Sequence, residues 1–271
     1  MALVVLIFVA LPLVVLFTIS FWISDGVSMT PTFVFDNYHT VLTSPLTWQL
    51  LFQTVKLAAI TWVVTLVIAF TCSYFLVFHV RNLKWQIALF LLCTIPFWTS
   101  NVIRMISWVP FLGKEGLFNR MLQNLGLISQ PLEFLLFSDF AVILTYVHLF
   151  TLFMMVPIFN SMAKINPSVI EAAVDAGASP FMVLKDVVVP LTRTGIALGS
   201  IFVVTLVMGD FFVIRVMSGG QSANIASAMK NNIDQLYYAD AAAMAIFLMA
   251  AVMIPIVLIL RIVDVRAELA K

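Results

Sequence analysis

Ionisable side chains are rare in this sequence, and one regularly spaced group of them lies in residues 171–190, EAAVDAGASPFMVLKDVVVP. Glu171 and Asp175 are four residues apart, so on a helix they would lie on the same side. The sequence contains no glycine-rich phosphate loop ending in Lys-Ser/Thr and no evident nucleophile–base pair. The group therefore predicts a binding surface rather than a catalytic centre.

The residues around this group predict two short helices joined by a turn. Asn166 can cap a first helix, and Pro167 suits its first turn because the missing N–H would be unpaired there. Gly177 permits the backbone conformation that ends a helix, and Ser179-Pro180 can start a second one, which Pro190 is expected to stop. The first helix would carry small side chains on one face, namely Val169, Ala172, Ala173 and Ala176.

Two interpretations of these helices remain open from spacing alone. They are too short to be stable in isolation, so they need a surface to dock on, which is either another protein or the lipid headgroups. Alanine side chains are too small to insert deeply into lipid, and the polar face is acidic where anionic lipid favours Lys and Arg. These observations favour docking on a protein.

The composition around this segment is that of an integral membrane protein. The chain has 271 residues, of which 63% are hydrophobic and 10% charged, against roughly 45–50% and about 25% in soluble domains. Long apolar runs predict helices, because lipid offers no partner to backbone groups outside a helix or a closed barrel. We therefore predict an all-α membrane protein, a single domain over 1–271, with six spans at about 3–23, 54–78, 87–110, 138–160, 195–216 and 241–262.

The distribution of Lys and Arg among the short loops predicts the orientation of the chain. It places both termini in the cytoplasm, together with the loop of residues 161–194 between spans four and five. The first apolar run lacks a basic leader and a clear cleavage site, which predicts a retained helix and is consistent with a longer native N-terminus. The net charge of +1 argues against a nucleic-acid partner, and the two cysteines, both in apolar runs, predict neither a disulfide framework nor a metal site.

Asp210 is the only carboxylate that the predicted spans place well inside the membrane, and Phe211 and Phe212 follow it. An ionisable residue at that depth is costly, so it is a functional candidate by default. The alternative is a structural ion pair, with Arg104 as a possible partner. Arg104 itself is predicted near the outer end of span three, where snorkelling to the interface would also explain it.

Aromatic and imidazole side chains complete the candidates within the membrane. Trp98 and Trp108 suit either an interfacial belt or the wall of a solute pathway. His148 in span four is predicted to make a hydrogen bond between helices rather than to relay protons.

At residues 171–190 the sequence resembles the EAA loop of the permease subunits of ABC importers. The match consists of Glu171-Ala172-Ala173, then Gly177, then Val187 and Val189-Pro190, with valines where isoleucine and leucine are usual. FDNYHTVL, IPFWTSNVIRMISW and VMSGGQSANIASAM resemble the spermidine/putrescine permeases, and the resemblance extends from about residue 10 to 265.

This resemblance implies the six-helix type I importer permease (MetI-like) fold, with a cytoplasmic coupling helix at residues 167–177 between helices 4 and 5. It implies that Glu171 and Ala172 contact a cytoplasmic ATPase and that Gly177 makes the turn. The candidate coupling residues are Glu171, Ala172, Ala173, Asp175, Gly177 and Pro190, and the candidate pathway residues are Asp210, Phe211, Phe212, Arg104, Trp98 and Trp108.

The resemblance also implies partners: a second permease subunit that is a different but homologous chain, a dimer of ATPase subunits, a periplasmic solute-binding protein and membrane lipid. ATP and Mg²⁺ would be bound by the ATPase, so this chain is expected to carry no cofactor and no catalytic residue. The expected location is the bacterial inner membrane. The amphipathic segment GKEGLFNRMLQNLGL would either meet the binding protein or pack on the outer end of the bundle.

Two alternative functions stay open. One is an importer permease for another small solute, such as ferric iron, sulfate or another organic cation. The other is a secondary transporter driven by an ion gradient, against which a single deep carboxylate and only six spans argue.

Overall fold

The structure, a computed structural model, describes residues 6–263 and is almost entirely helical. A π-helical turn at Leu6–Ala10 continues as α1 (Leu11–Ile19), and a two-stranded antiparallel hairpin of β1 (Ile23–Ser24) and β2 (Met29–Thr30) follows. The beginning of the first predicted span and both chain termini lie outside the described residues.

The other helices succeed one another with short connections. In chain order they are α2 (Asp36–Thr43), α3 (Pro45–Phe78), α4 (Leu83–Thr94), α5 (Asn101–Ile106), α6 (Trp108–Leu112), α7 (Leu117–Asn124), α8 (Asp139–Met162), α9 (Pro167–Asp175), α10 (Pro180–Gly209), α11 (Phe212–Met217), α12 (Ile225–Asp234) and α13 (Tyr238–Ile262). Short 3-10 turns lie at Ile95–Trp98 and Glu133–Leu135.

Four helices of the described part, α3, α8, α10 and α13, are long and apolar enough to cross a membrane. A fifth crossing results if α4 and the segment after it are counted together across a bend of 91°. The predicted all-α membrane architecture is confirmed, whereas the count of six crossings stays a prediction.

The third predicted span, 87–110, is wrong as a continuous helix. Pro96 cannot donate a backbone hydrogen bond, and the chain tightens into a 3-10 turn there before Thr99 becomes extended. Ser100 then caps α5 by accepting the N–H of Val102 at 3.3 Å. The bend therefore arises where a proline and a capping serine follow each other closely.

The fifth predicted span, 195–216, is also interrupted. α10 ends at Gly209, and Asp210 is extended because its carboxylate accepts the N–H of Val213 and starts α11 instead. The expectation that Pro190 stops a short helix is wrong as well, because α10 runs through it. The π-helical turn at Val183–Val188 precedes the proline and gives its ring the space that a regular α-helix would not.

The core of the bundle forms around α8, which packs along α3 and α10. The buried face of α3 is unusual in consisting largely of small and hydroxyl side chains, namely Thr54, Ala58, Thr61, Thr65, Ala69 and Ser73. Small side chains allow close backbone approach, which is how helices associate in lipid, where apolar burial gives no advantage.

Gly195 and Gly199 bring α10 against α8 with no space for a side chain. A Cβ at residue 195 would lie 2.4 Å from the carbonyl oxygen of Pro157 and 2.5 Å from Oγ of Ser161. A Cβ at residue 199 would lie 2.7 Å from Sδ of Met154 and 3.0 Å from its Cα. The spacing of the two glycines is the GxxxG pattern of tightly packed membrane helices, a signal in the sequence that our prediction did not use.

We predict that Gly195→Ala destabilises the protein, because the new methyl group meets the backbone of Pro157 in α8 as well as Oγ of Ser161, and the backbone cannot move aside as a flexible side chain could. Overpacking of this kind costs about 1–3 kcal/mol. The measurement is thermal unfolding of the purified chain in detergent. Gly209→Ala is the matched control, since a Cβ there would meet no atom of a neighbouring segment within 4 Å. Equal melting temperatures for the two variants would contradict the proposed close contact.

Candidate functional site

The short helix α9 has the ends that its sequence predicts. Asn166 Oδ1 accepts the N–H of Ser168 at 3.1 Å, and Pro167 lies in the first turn. Gly177 has φ of +86°, in the left-handed region that glycine adopts without strain. The next helix begins where Ser179 Oγ accepts the N–H of Met182 at 3.3 Å. The predicted helix start, turn and second cap are confirmed as local structure.

The face of small side chains predicted on α9 is not uniformly exposed. Ile170 and Ala173 pack against the core, so Ala173 holds the helix onto the bundle rather than lying on a free surface. The candidate coupling residues that are exposed are Glu171, Ala172, Asp175, Gly177 and Pro190, and Val169, Val174 and Ala176 are exposed beside them. α9 thus presents an uncovered surface with two carboxylates at one end of the bundle.

Asp210 lies in the break between α10 and α11, not in the interior of a helix as predicted. Its Oδ1 accepts the backbone N–H of Val213 at 2.8 Å and the hydroxyl of Tyr146 at 3.1 Å. Its backbone carbonyl accepts Nδ2 of Asn224 at 2.7 Å. The carboxylate of Asp210 therefore links the broken helix to α8, and its backbone carbonyl links it to the segment before α12. Its partner is Tyr146, so the alternative of an Arg104 pair is wrong for this conformation.

Aromatic rings continue from Asp210 along α8. Tyr146 is fully buried and stacks on Phe150 with centroids 5.6 Å apart. Phe150 contacts Phe153 at 6.2 Å, and Phe153 in turn contacts Phe97 at 5.5 Å. Beyond these rings an apolar cavity opens between α4, α8 and α10, lined by Thr94, Phe97, Leu152, Phe153, Val156, Pro157 and Phe202.

The two phenylalanines after Asp210 differ in exposure. Phe211 is half-buried and packs against the core, whereas Phe212 is exposed. Their ring centroids are 6.5 Å apart with the rings nearly perpendicular. The break therefore presents one aromatic ring to the outside beside a partly buried carboxylate.

Arg104 does not snorkel. Its residue surface is only 5% exposed, and its Nη2 donates to Oδ1 of Asn101 in the same helix. Trp108, one turn further, donates its indole N–H to Nδ1 of His148 at 3.0 Å. The predicted interhelical hydrogen bond of His148 is thereby confirmed. Trp98, by contrast, is 85% exposed at the bend.

Five of the six candidate pathway residues therefore form two groups in the described part of the chain, and Trp98 lies exposed at the bend. Asp210, Phe211 and Phe212 lie at the second break with Tyr146. Arg104 and Trp108 lie with His148 after the first break, and no ion pair among residues 6–263 joins the two groups. Tyr146 and Asn224 were missed by the sequence analysis, although a tyrosine within an apolar run is itself a signal of a polar partner.

A second polar network near α3 was also missed. Asp139 accepts Nζ of Lys56 and Nε2 of Gln53, each at 2.9 Å, and Oγ of Ser222 at 2.5 Å. The N–H of Ile225 donates to Oγ1 of Thr54 at 3.2 Å. The segment after the broken helix is thereby attached to α3 and α8, which fixes the position of Asp210.

The amphipathic helix α7 packs through Asn119 and Phe118, while most of its predicted apolar stripe stays exposed. Asn119 is fully buried and bonds the backbone of Gly113 and Leu132. Leu117, Met121 and Leu125 are exposed. Nearby, Lys114 and Glu133 pair at 2.6 Å, so this hydrogen bond raises the pKa of the lysine and lowers the pKa of the glutamate. Of the two predicted roles of this segment, packing on the bundle explains the buried side of α7 but leaves its exposed apolar side uncovered by the described chain.

No protein-family model matches the chain. The chain is 33% identical over 224 residues to the spermidine/putrescine transport system permease protein PotB of Escherichia coli, which covers 82% of this chain and 80% of that protein. It is 29% identical over 224 residues to the PotB of Haemophilus influenzae, covering 83% and 77%. It is 26% identical over 196 residues to the inner membrane ABC transporter permease protein YdcU of Escherichia coli, covering 69% and 62%.

Solved structures have the same fold. A bacterial ABC transporter involved in the import of the acidic polysaccharide alginate contains a chain that superposes with a TM-score of 0.78 at 18% identity, covering 96% of this chain and 91% of that one. A complex of a bacterial alginate ABC transporter with an alginate pentasaccharide-bound periplasmic protein gives 0.77 at 17% identity, covering 95% and 89%. At these identities the similarity concerns the fold alone.

We predict that Asp210→Ala destabilises the chain, because α11 loses its cap and the Tyr146 hydroxyl loses its acceptor. Loss of a cap costs about 1–2 kcal/mol. Asp210→Asn is the matched control, since the amide oxygen can still accept both hydrogen bonds. Thermal unfolding in detergent measures the difference, and equal losses for both variants would show that the charge rather than the capping geometry stabilises the break.

Proposed function

The chain belongs to the family of the spermidine/putrescine transport system permease proteins, and we propose that it forms half of the membrane pathway by which a polyamine is imported. As a permease subunit of an ABC importer it is not itself catalytic. The observation that carries the proposal is the identity shared with the Escherichia coli relative over most of both chains. The proposed location is the bacterial inner membrane, with both termini and α9 on the cytoplasmic side.

The chemistry of a polyamine is compatible with the break at Asp210. A polyamine is a flexible polycation with apolar methylene groups, so its path needs carboxylates or carbonyls together with aromatic surfaces. Asp210 and the exposed Phe212 provide both at one position. Because Asp210 already accepts two hydrogen bonds within the chain, its position is held before any solute arrives.

We propose that α9 docks in a groove of a cytoplasmic ATPase, through Glu171, Ala172 and the neighbouring exposed residues. Binding of a short helix in a groove is a known recognition mode. Two observations support it. α9 has a defined start at the Asn166 cap and a defined end at the Gly177 turn. Its exposed carboxylates, Glu171 and Asp175, take part in no ion pair within the described residues. ATP and Mg²⁺ would be bound by the ATPase dimer, and closure of that dimer would move α9 and the helices attached to it.

The complete transporter in this proposal has three further kinds of component. A second, homologous permease chain completes the pathway, the ATPase dimer drives it, and a periplasmic binding protein delivers the solute. The ATPase can shift the permease between its two conformations only by the difference in contact free energy that α9 makes with the ATPase in each of them.

We predict that Glu171→Lys abolishes polyamine uptake without affecting insertion, because a reversed charge on the exposed face of α9 would oppose docking. The measurement is uptake of labelled spermidine in cells at matched membrane levels of the protein. Asp186→Lys is the control, since Asp186 is also exposed but lies in the π-helical turn outside α9. Wild-type uptake by Glu171→Lys would remove the docking proposal.

A second prediction concerns the solute. Asp210→Asn keeps the capping acceptor and loses the charge, so we expect uptake to fall roughly tenfold, as for loss of a charged hydrogen bond, while the ATPase activity of the assembled complex is retained. Uptake as a function of spermidine concentration and ATP hydrolysis in proteoliposomes are the two measurements. If transport and its concentration dependence stay unchanged, Asp210 has a structural role only.

A further inference from the structure

Lys56 and Asp139 form an accessible ion pair whose carboxylate also has neutral donors. Nζ of Lys56 donates to Oδ2 of Asp139 at 2.9 Å, and the two side chains are 41% and 31% exposed. Nε2 of Gln53 donates to both carboxylate oxygens, at 2.9 and 3.0 Å, and Oγ of Ser222 donates to Oδ1 at 2.5 Å. Asp139 is also the first residue of α8, where the helix dipole favours a negative charge. The carboxylate is therefore held in place independently of the lysine.

The other ion pairs among residues 6–263 lack such support. Glu115, Glu133 and Asp234 contact Lys or Arg, and no neutral side chain in the described part of the chain donates to them. If Lys56 left Asp139, the donors on Gln53 and Ser222 would still satisfy the carboxylate. Loss of the lysine therefore avoids the penalty of an unpaired acceptor.

Lys56 itself is held by a single contact. An ammonium has three N–H donors, and among the described residues only Asp139 accepts from it. An exposed pair of this kind adds little to stability, because water competes for both charges and the long side chain loses freedom. A second ammonium can therefore replace the Lys56 ammonium at little cost.

We propose that Asp139, with Gln53 and Ser222, binds a primary ammonium of the imported polyamine in exchange for the ammonium of Lys56. The inference rests on the proposed function, whose orientation places this end of α8 on the outer side. The lysine indicates the ligand class, because its side chain is a primary ammonium on a flexible methylene chain, as is the end of a polyamine. A hard metal ion needs several oxygen ligands, whereas N–H and O–H donors already occupy this carboxylate.

The segment of residues 222–224 connects this site to Asp210. Ser222 donates to Asp139, and Nδ2 of Asn224 donates to the backbone carbonyl of Asp210. The Cα atoms of residues 222 and 224 are at most about 7 Å apart, so the two carboxylates belong to one connected polar region. A solute with two linked ammonium groups gains from the second contact without a second encounter, which favours it over a monoamine in competition with a tethered lysine.

The test is the binding of labelled spermidine to the purified chain in nanodiscs at constant ionic strength. Lys56→Met removes the competing ammonium and keeps an unbranched apolar side chain. The dissociation constant should fall about twofold to fivefold, the range that an exposed ion pair accounts for. Asp139→Asn in the Lys56→Met background should remove this gain. An unchanged or weaker affinity of Lys56→Met, whatever its melting temperature, would mean that the pair is structural and would overturn the inference.

Lys114→Met is the matched control, because it removes the same charge and frees the exposed carboxylate of Glu133, which has no neutral donor among the described residues. An equal gain in this variant would indicate a general effect of net charge and would overturn the inference. An equal gain for Mg²⁺ in Lys56→Met would overturn the assignment to an ammonium. Lys56→Gln, which keeps an N–H donor without the charge, is the second variant if the Met protein does not accumulate.

Two further measurements separate this inference from the proposed function. Butylamine, which has one ammonium, should compete with spermidine for Lys56→Met and not for the wild-type chain; equal competition for both would contradict exchange with Lys56. Uptake of spermidine by the assembled wild-type transporter tests the proposed function, and absence of uptake would contradict that function whatever the binding results. Uptake together with an unchanged affinity of Lys56→Met would overturn the present inference alone.

Discussion

A hydrocarbon solvent offers nothing to an unpaired backbone N–H or C=O, and this constraint governs each departure from regular helix in the chain. Both breaks within predicted spans are resolved by side chains that replace the missing backbone bonds. Ser100 caps α5 after the bend, and Asp210 caps α11 while Asn224 bonds the Asp210 carbonyl. Because the side chains that replace the backbone bonds are polar, they also place a carboxylate and an amide within the bundle. The candidate solute site at Asp210 therefore lies at this position because the broken helix needs a hydrogen-bond acceptor there.

Packing between the long helices follows from the same solvent. Apolar side chains gain nothing by leaving lipid for the bundle, so close contact depends on small residues and internal hydrogen bonds. Gly195 and Gly199 meet the backbone of α8, and Trp62 donates its indole N–H to Ser200 at 2.7 Å across α3 and α10. The three central helices are therefore held by geometry that tolerates little change in side-chain volume. Rigidity of this kind allows a movement at one end of the bundle to reach the other.

Features that depend on a few neighbouring residues were predictable from the sequence. The caps of α9, the left-handed turn at Gly177 and the second cap at Ser179 are local, and the resemblance identified the family. The breaks were harder to predict, because Pro96 and Gly209 are tolerated within membrane helices when other groups satisfy the backbone. The burial of Arg104 and the Tyr146 partner of Asp210 were not predictable, since each depends on how α8 packs against segments distant in sequence. Pro190 shows the reverse error, in which a strong local rule is overridden by a π-helical turn just before it.

The length of α10 has a mechanical consequence. It runs as one helix from Pro180, beside the Gly177 turn, to Gly209 at the Asp210 break, which is 30 residues and therefore about 45 Å at the rise of an α-helix. A pivot at its first residue that rotates this rod by only about 5° displaces the far end by roughly 4 Å at that length. Such a displacement exceeds the 3.1 Å that separates the Tyr146 hydroxyl from the Asp210 carboxylate. A small rotation of α10 relative to α8 would therefore be enough, by leverage alone, to exchange the hydrogen-bond partners of the Asp210 carboxylate.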